Sequence, residues 1–140
     1  MTEPVTIVLT GPPKGKERPR FGRGRAYTAP ATRAYEEALA WAGKASMGGR
    51  PPLAGALSVQ VTAFMDIPPS WPQWKREDAR NNTLRPTGKP DCDNILKVLD
   101  ALNGIVWGDD AQIVGAWVRK MYDPTPRLVI SVIEITREGA

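Results

Sequence analysis

Residues 89–110 read K-P-D-C-D-N-I-L-K-V-L-D-A-L-N-G-I-V-W-G-D-D. Pro90 disfavours a helical conformation in the residue before it, so a helix can begin only at or after Asp91. Asp91 is of a type that caps helix N-termini, and Asn103-Gly104 is a typical helix end. The stretch therefore predicts a helix over residues 91–103 with one apolar and one charged side. The apolar side holds Cys92, Ile95, Leu96, Leu99 and Leu102, and the charged side holds Asp93, Lys97 and Asp100.

This stretch also concentrates negative charge. Residues 91–110 hold five carboxylates and a single cation, Lys97, in a chain whose formal net charge is +4. Repulsion among the carboxylates would be relieved by a bound cation. The alternative is a solvated helix face followed by an acidic turn, and composition alone does not separate the two interpretations.

Three carboxylates would meet if the chain returned after residue 104 so that Asp109 or Asp110 lay beside Asp91 and Asp93. Hard divalent cations such as Mg²⁺ take oxygen ligands of this kind, and such ions assist phosphodiester displacement. Lys97 would hold the scissile phosphate or the developing charge. Alternatively, Asp93 and Lys97 form a simple i,i+4 surface pair worth about 0.2–0.5 kcal/mol.

A basic segment, residues 14–25, supplies the opposite charge, with six cations against Glu17. Its glycines and prolines oppose regular structure and its like charges oppose compaction, so it is predicted to be a mobile loop. A nuclease would use these cations to collect the DNA backbone, kept apart in space from carboxylates that hold a metal ion. The alternative is a solvated loop with no partner. The candidate DNA-binding residues are Lys14, Lys16, Arg18, Arg20, Arg23 and Arg25.

The remaining pattern predicts one α+β domain over residues 1–140. Its mixed or antiparallel sheet would have about four strands, with two main helices packed on it. Alternation of apolar residues predicts strands over 5–10, 56–66, 112–122 and 127–137, and residues 123–126 would join the last two as a hairpin. A helix is expected from Pro30 to Gly48-Gly49, with Thr28 as its cap, and a short helix over 70–80. Residues 67–90 form a long excursion, which is typically functional or disordered.

Composition excludes several kinds of chemistry. The chain has no histidine, which removes histidine bases, histidine metal ligands and Ser-His or Cys-His nucleophiles. Its single cysteine, Cys92, has no partner for an intramolecular disulfide or a zinc site, and this fits a reducing, cytoplasmic setting. There is no signal-like segment and no apolar run of about 18 residues, so we expect neither export nor membrane insertion.

The motifs K-P-D-C-D-N-x-x-K, D-A-L-N-G and W-G-D-D-A-Q-I-V, in this order, resemble the RusA family of Holliday junction resolvases. Upstream, G-P-P-K-G-K-E-R-P-R-F and S-W-P-Q-W-K-R-E-D-A-R resemble prophage members, so the resemblance spans residues 5–135. It implies a small α/β homodimer that binds branched DNA at four-way junctions. It also implies paired, symmetric nicks made with Mg²⁺, for which Mn²⁺ is an alternative ion.

By position, the resemblance assigns metal-binding and catalytic carboxylates to Asp91, Asp93 and Asp110, and the catalytic lysine to Lys97. The chain departs from the family pattern in having one residue fewer between Lys97 and D-A-L, which shifts the helix register by roughly 100°. Asp100 is therefore ambiguous between site support and solvent. Asp109 is a candidate partner that supports the site residues.

Two other functions compete with a Mg²⁺-dependent nuclease. One is a non-catalytic DNA-binding accessory protein that acts through residues 14–25 and binds DNA without regard to divalent metal. The other is a metal-dependent phosphohydrolase of small nucleotides, for which so basic a segment is excessive. A synthetic four-way junction incubated with and without Mg²⁺ separates the nuclease from the accessory protein.

Overall fold

The computed structural model describes residues 3–17, 20–27 and 29–136. Two short 3-10 segments, Val98–Leu102 and Asp110–Gln112, lie between the last helix and the last two strands. The strands are β1 (Val5–Thr10), β2 (Arg20–Gly22), β3 (Arg25–Tyr27), β4 (Leu57–Met65), β5 (Ile113–Tyr122) and β6 (Arg127–Glu134), and the helices are α1 (Pro30–Met47), α2 (Gln73–Arg80) and α3 (Cys92–Lys97).

The main sheet has four strands in the order β1-β6-β4-β5. β4 runs parallel to β5 and antiparallel to β6, which in turn pairs antiparallel with β1. β4 and β6 are the two interior strands, and along β4 every second residue from Leu57 to Ala63 is apolar and lies in the core. The predicted α+β class and the mixed four-stranded sheet are confirmed.

The predicted hairpin of β5 and β6 is wrong. Residues 123–126 do reverse the chain, but β4 lies between the two strands. Four residues are long enough to cross two strand spacings of about 4.8 Å each. Asp123 fixes the crossing, because its backbone N–H donates to Met65 O of β4 and its Oδ2 accepts from Thr125 N and Arg127 Nη1, both at 2.9 Å. The turn residues therefore indicated a reversal without indicating which strands pair.

The predicted helix over 91–103 divides into two kinds of helix. α3 ends at Lys97, and residues 98–102 continue as a 3-10 helix. The tighter winding buries Val98 completely together with Leu99 and Leu102, whereas a continuous α-helix was expected to leave Val98 off the apolar side. This segment packs against α1 at Gly43, where a Cβ atom would lie 2.7 Å from Leu102 Cδ2.

Part of the basic segment has regular structure that was not predicted. Residues 20–27 form the two-stranded hairpin β2–β3, whose turn places Arg23 and Gly24 at positive φ. α1 follows from Pro30, as expected, and ends at Gly48 in the left-handed conformation. Thr28, the expected cap, lies outside the described residues.

One face of the sheet supports α1 and α3, and the other is open. The inner face packs Ile7, Val61 and Ile130 into the core, where Trp107 is also fully buried. On the outer face none of the described side chains is buried, and Val8 and Trp117 are 47% and 56% exposed. Within the described ranges, no helix is both long and apolar enough to cross a membrane.

Candidate active site

One cleft of the described structure joins the two charged stretches of the sequence. It has a volume of about 1280 Å³ and lies between residues 13–17, the start of α1 and the start of α3. Basic and acidic side chains share its walls. The charged residues that line it are Lys14, Lys16, Glu17, Lys89, Asp91, Asp93, Lys97 and Asp100.

Asp91 caps α3, as its sequence predicted. Its Oδ1 accepts a hydrogen bond of 2.9 Å from the backbone N–H of Asn94, which leaves the second carboxylate oxygen for another partner. The backbone just before it is held by Lys120, whose Nζ donates to Gly88 O at 2.7 Å and to Pro90 O at 3.1 Å. Asp91 therefore has a fixed position at the cleft.

Asp93 and Lys97 form the i,i+4 pair that the sequence allowed. Lys97 Nζ lies 3.2 Å from Asp93 Oδ2, and both side chains are more than half exposed. An exposed pair of this kind contributes only about 0.3–0.5 kcal/mol to stability. The carboxylate of Asp93 is consequently available to a cation, and the ammonium group of Lys97 is available to a phosphate.

Lys16 connects the basic segment to the acidic stretch. Its backbone N–H donates to Asn94 O at 2.9 Å, and its Nζ lies 3.4 Å from Asp100 Oδ2 and 3.7 Å from Glu36 Oε2. Beside it, Gly15 packs so closely on α3 that a Cβ atom would lie 2.8 Å from the Cβ atoms of both Pro90 and Asn94. The expectation that the two charged stretches stay apart in space is wrong, since they meet at Lys16.

Asp110 lies in a short 3-10 turn that Asp109 caps. Asp109 Oδ1 accepts from Ala111 N at 3.1 Å, and Gln112 Oε1 accepts from the backbone N–H groups of Gly108 and Asp109. Hydrogen bonding with the carboxyl groups of Asp109 and Asp100 raises the pKa of Asp110, and burial and their negative charges add to the shift. The pKa of Asp109 is lowered, chiefly by the N–H of Ala111.

The predicted carboxylates are therefore arranged around Asp100. Asp91 and Asp93 line the cleft together with Asp100, whereas Asp110, whose pKa Asp100 helps to raise, is not among the cleft-lining residues. Among the described residues, no three acidic or cysteine side chains are placed to share one ion as they stand. Asp100, which the sequence left ambiguous, connects the two groups.

Local winding explains why the sequence did not resolve Asp100. A 3-10 helix turns about 120° per residue where an α-helix turns about 100°, so a 3-10 run of the length of Val98–Leu102 adds roughly 100° of rotation. This equals the register shift expected from one missing residue. The missing residue after Lys97 was therefore a sign that the helix changes its winding there. Helical phasing that assumes a regular α-helix throughout could not place Asp100 from it.

The candidate DNA-binding residues divide into those at the cleft and those elsewhere. Lys14 and Lys16 line the cleft. Arg23 and Arg25 are exposed on the β2–β3 hairpin and are not among the lining residues. Arg20 begins β2, and Arg18 lies outside the described residues. Lys89, which was not among the candidates, also lines the cleft.

The residues at the cleft fit a hard divalent cation. Carboxylate oxygens are the ligands that Mg²⁺ prefers, and Mg²⁺ is commonly held by only one or two carboxylates because it retains water and binds substrate phosphate. Asp91 has a carboxylate oxygen outside its capping bond, and Asp93 is exposed beside it. The crowding that raises the pKa of Asp110 is the condition that a cation would relieve.

Comparison with known proteins agrees with this geometry. A family model described as endodeoxyribonuclease RusA matches residues 10–133. The chain therefore belongs to the RusA endodeoxyribonuclease family. It is also similar to the uncharacterized protein YqaN of Bacillus subtilis (strain 168), with 38% identity over 87 residues. That match covers 60% of this chain and spans 61% of the length of YqaN.

Proposed function

We propose that this protein is a Mg²⁺-dependent, structure-selective endodeoxyribonuclease of the prophage type that resolves four-way junctions by paired, symmetric nicks. The observation that carries the proposal is the shared cleft, which is lined by Asp91 and Asp93 and also by Lys14 and Lys16. A site that cuts DNA needs cations for the phosphates and carboxylates for a metal ion, and this cleft supplies both. The activity would reside in one domain, residues 1–140, and the protein would act in the cytoplasm during recombination and repair.

The proposed roles follow from the contacts of each residue. Asp91 and Asp93 would hold the ion, with Mn²⁺ as an alternative to Mg²⁺. Asp110 would be the third carboxylate of the metal site, next to Asp100. The ion supplies neutralisation of phosphate charge and a more acidic bound water. Lys97, which Asp93 holds at 3.2 Å, would leave that carboxylate and donate to the scissile phosphate.

Two symmetric nicks require two sites related by symmetry, so we propose a homodimer. The surface that supports this proposal is the outer face of the sheet, where Trp117 and Val8 are exposed and no described side chain is buried. A stable interface buries about 800 Å² on each partner, which an open face of a four-stranded sheet can supply. Such a homodimer would have one acidic cleft on each protomer.

Cleavage of labelled DNA tests the proposal. A synthetic four-way junction and a linear duplex of the same sequence are incubated with the protein in Mg²⁺ or in EDTA. We expect nicks in two opposite strands of the junction, in Mg²⁺ only, and no cutting of the duplex. Binding that is salt-sensitive, indifferent to Mg²⁺ and never followed by cleavage would instead support a non-catalytic DNA-binding accessory protein that acts through residues 14–25.

A further inference from the structure

A second cationic surface precedes the cleft in the sequence. Residues 71–90, here called the arm, include α2 and lead directly into Asp91. The excursion that the sequence marked as functional or disordered is well anchored here. Trp71 packs edge-on against Tyr122 at 5.4 Å, Ala79 is fully buried, and Lys120 holds Gly88 O and Pro90 O.

In the part of the chain that the structure describes, the cations of the arm have no carboxylate partners. Five basic residues stand against Glu77 and Asp78, and among the described residues none of the five forms an ion pair. Arg80 and Arg85 use Nε for backbone carbonyl groups, at 3.5 Å and 3.3 Å. By contrast, Lys16, Lys97 and Arg127 are each paired with a carboxylate. The unpaired cations of the arm are Lys75, Arg76, Arg80, Arg85 and Lys89.

An exposed aromatic ring accompanies these cations. Trp74, on the outward side of α2, is 63% exposed, although a tryptophan usually contributes more to stability when buried. Lys75, the next residue, lies over the ring of Trp71, with Nζ 4.2 Å from the ring centroid. Cations combined with an accessible aromatic ring are the usual means of holding DNA with unstacked bases, because the ring stacks on a base while the cations hold phosphates.

The arm reaches the cleft at its C-terminal end. Lys89 lines the cleft with Asp91, so a strand held by the arm would continue toward the carboxylates. Glu77 opposes this arrangement, since it lies on the same outward side of α2 as Trp74 and Arg80, where it accepts from Gln73 at 3.2 Å. One carboxylate reduces the attraction for phosphate without cancelling the surrounding cations.

We propose that the arm is a second DNA-binding surface, separate from residues 14–25, which holds the phosphodiester backbone through Arg80, Arg85 and Lys89 and stacks Trp74 on an unstacked base of a branch. The proposal rests on the proposed function in taking DNA as the substrate. Lys89 also lines the cleft, whereas Trp74, Arg80 and Arg85 belong neither to residues 89–110 nor to the basic segment.

Binding without cleavage tests the arm. The affinity of the full chain for a labelled four-way junction is measured in EDTA at several salt concentrations. Arg80→Gln with Arg85→Gln should make the negative slope of log K against log salt shallower by about 2, since each lost phosphate contact accounts for about 0.9. Trp74→Ala should weaken junction binding roughly 5- to 100-fold. Glu77→Gln should tighten binding.

The matched controls lie on α1. Trp41 is 70% exposed and carries Lys44 Nζ 5.0 Å from its ring centroid, so it reproduces the chemistry of the arm at another place. Trp41→Ala and Lys44→Gln should leave affinity within about twofold of wild type. Wild-type affinity in the Trp74→Ala variant, or an equal loss of affinity in Trp41→Ala, would overturn the proposed role of the arm but not the proposed function. A wild-type protein that binds no DNA would overturn the arm and the proposed function together.

Discussion

Lys16 Nζ lies 3.4 Å from Asp100 Oδ2, although 84 residues separate the two in sequence. The contact joins the most basic and the most acidic parts of the chain. Because the backbone N–H of Lys16 also donates to Asn94 O of α3, residues 14–17 of the basic segment form one wall of the cleft. DNA collected by this segment would therefore arrive beside the carboxylates.

This contact should matter more for cleavage than for folding. The side chains of Lys16 and Asp100 are 31% and 48% exposed, so the coupling between them should contribute less than about 1 kcal/mol to the free energy of unfolding. Lys16→Gln should nevertheless lower the cleavage rate at least about tenfold, since it removes a cation from the cleft. A double-mutant cycle with Asp100→Asn, followed by urea unfolding and junction cleavage, measures both effects. A coupling of several kcal/mol, or unchanged cleavage in Lys16→Gln, would contradict this prediction.

Gly15 should tolerate no side chain. A Cβ atom at this position would lie 2.8 Å from the Cβ atoms of Pro90 and Asn94, and the nearest backbone would also have to shift. Gly15→Ala should therefore destabilise the fold by about 1–3 kcal/mol and separate residues 14–17 from α3, with loss of cleavage. Gly88→Ala is the matched control, since it has open space around it. Equal melting temperatures and cleavage rates for the two variants would argue against close packing at Gly15.

Local patterns predicted the strands, because alternation along residues such as Leu57, Val59 and Val61 depends only on neighbouring positions. They did not predict that β4 lies between β5 and β6, because a turn at residues 123–126 reverses the chain whatever number of strands it crosses. The Lys16–Asp100 contact was also missed. Charge density in residues 14–25 suggested mutual repulsion, whereas the opposite charge that attracts Lys16 lies 84 residues away in sequence.

Within the candidate site, residues whose position depends on local geometry were predictable. Asp91 caps α3 as its position after Pro90 indicated, and Lys97 pairs with Asp93 at the expected spacing. Asp100 was not assignable, because its direction depends on the 3-10 winding of residues 98–102. That segment packs against α1 at Gly43, a contact between distant parts of the chain that local patterns do not reveal.

The pH dependence of cleavage should report the crowding of Asp110. Its pKa is raised by Asp109 and then by Asp100, and a carboxylate must be ionised to hold a cation. Activity should therefore fall as pH decreases through this raised pKa, at a higher pH than the value of about 3.9 for an isolated aspartate would give. Asp109→Asn keeps an oxygen that can cap Ala111 but removes the charge, so the fall should move to lower pH.

Rates measured against pH at fixed Mg²⁺ check this shift. Glu3→Gln, which removes an exposed carboxylate at the start of the chain, is the control and should leave the profile unchanged. A profile that stays in place in Asp109→Asn, or moves to higher pH, would show that Asp109 does not raise the pKa of Asp110.

Trp117 should hold two protomers together if the outer face of the sheet is the dimer interface. Arg119 Cζ lies 5.4 Å from the ring centroid of Trp117, and the Trp117 side chain is more than half exposed. Trp117→Glu would bury an unpaired charge in such an interface and should produce monomers in light scattering after size-exclusion chromatography. Trp41→Glu, at an exposed position on α1, should remain dimeric. A dimer in Trp117→Glu would exclude this face as the interface.

Substitution of the site aspartates by asparagine separates chemistry from folding. Asparagine caps a helix about as well as aspartate, so Asp91→Asn should keep the bond to Asn94 N and leave the free energy of unfolding within about 0.5 kcal/mol of wild type. Asp91→Ala loses the cap as well and should destabilise by about 0.5–2 kcal/mol. Asp91→Asn therefore alters the metal-binding charge with little change in the scaffold.

Cleavage of a four-way junction by Asp91→Asn, Asp93→Asn and Asp110→Asn, in Mg²⁺ and at protein concentrations that saturate binding, tests the central claim most directly. Each variant should bind the junction as tightly as wild type or more tightly, because a negative charge near phosphate has been removed. Each should cut at least about a hundredfold more slowly, because the charge that holds the ion is lost. Cleavage at the wild-type rate by any one of the three would contradict the assignment of that carboxylate, and by all three would contradict the account of the site.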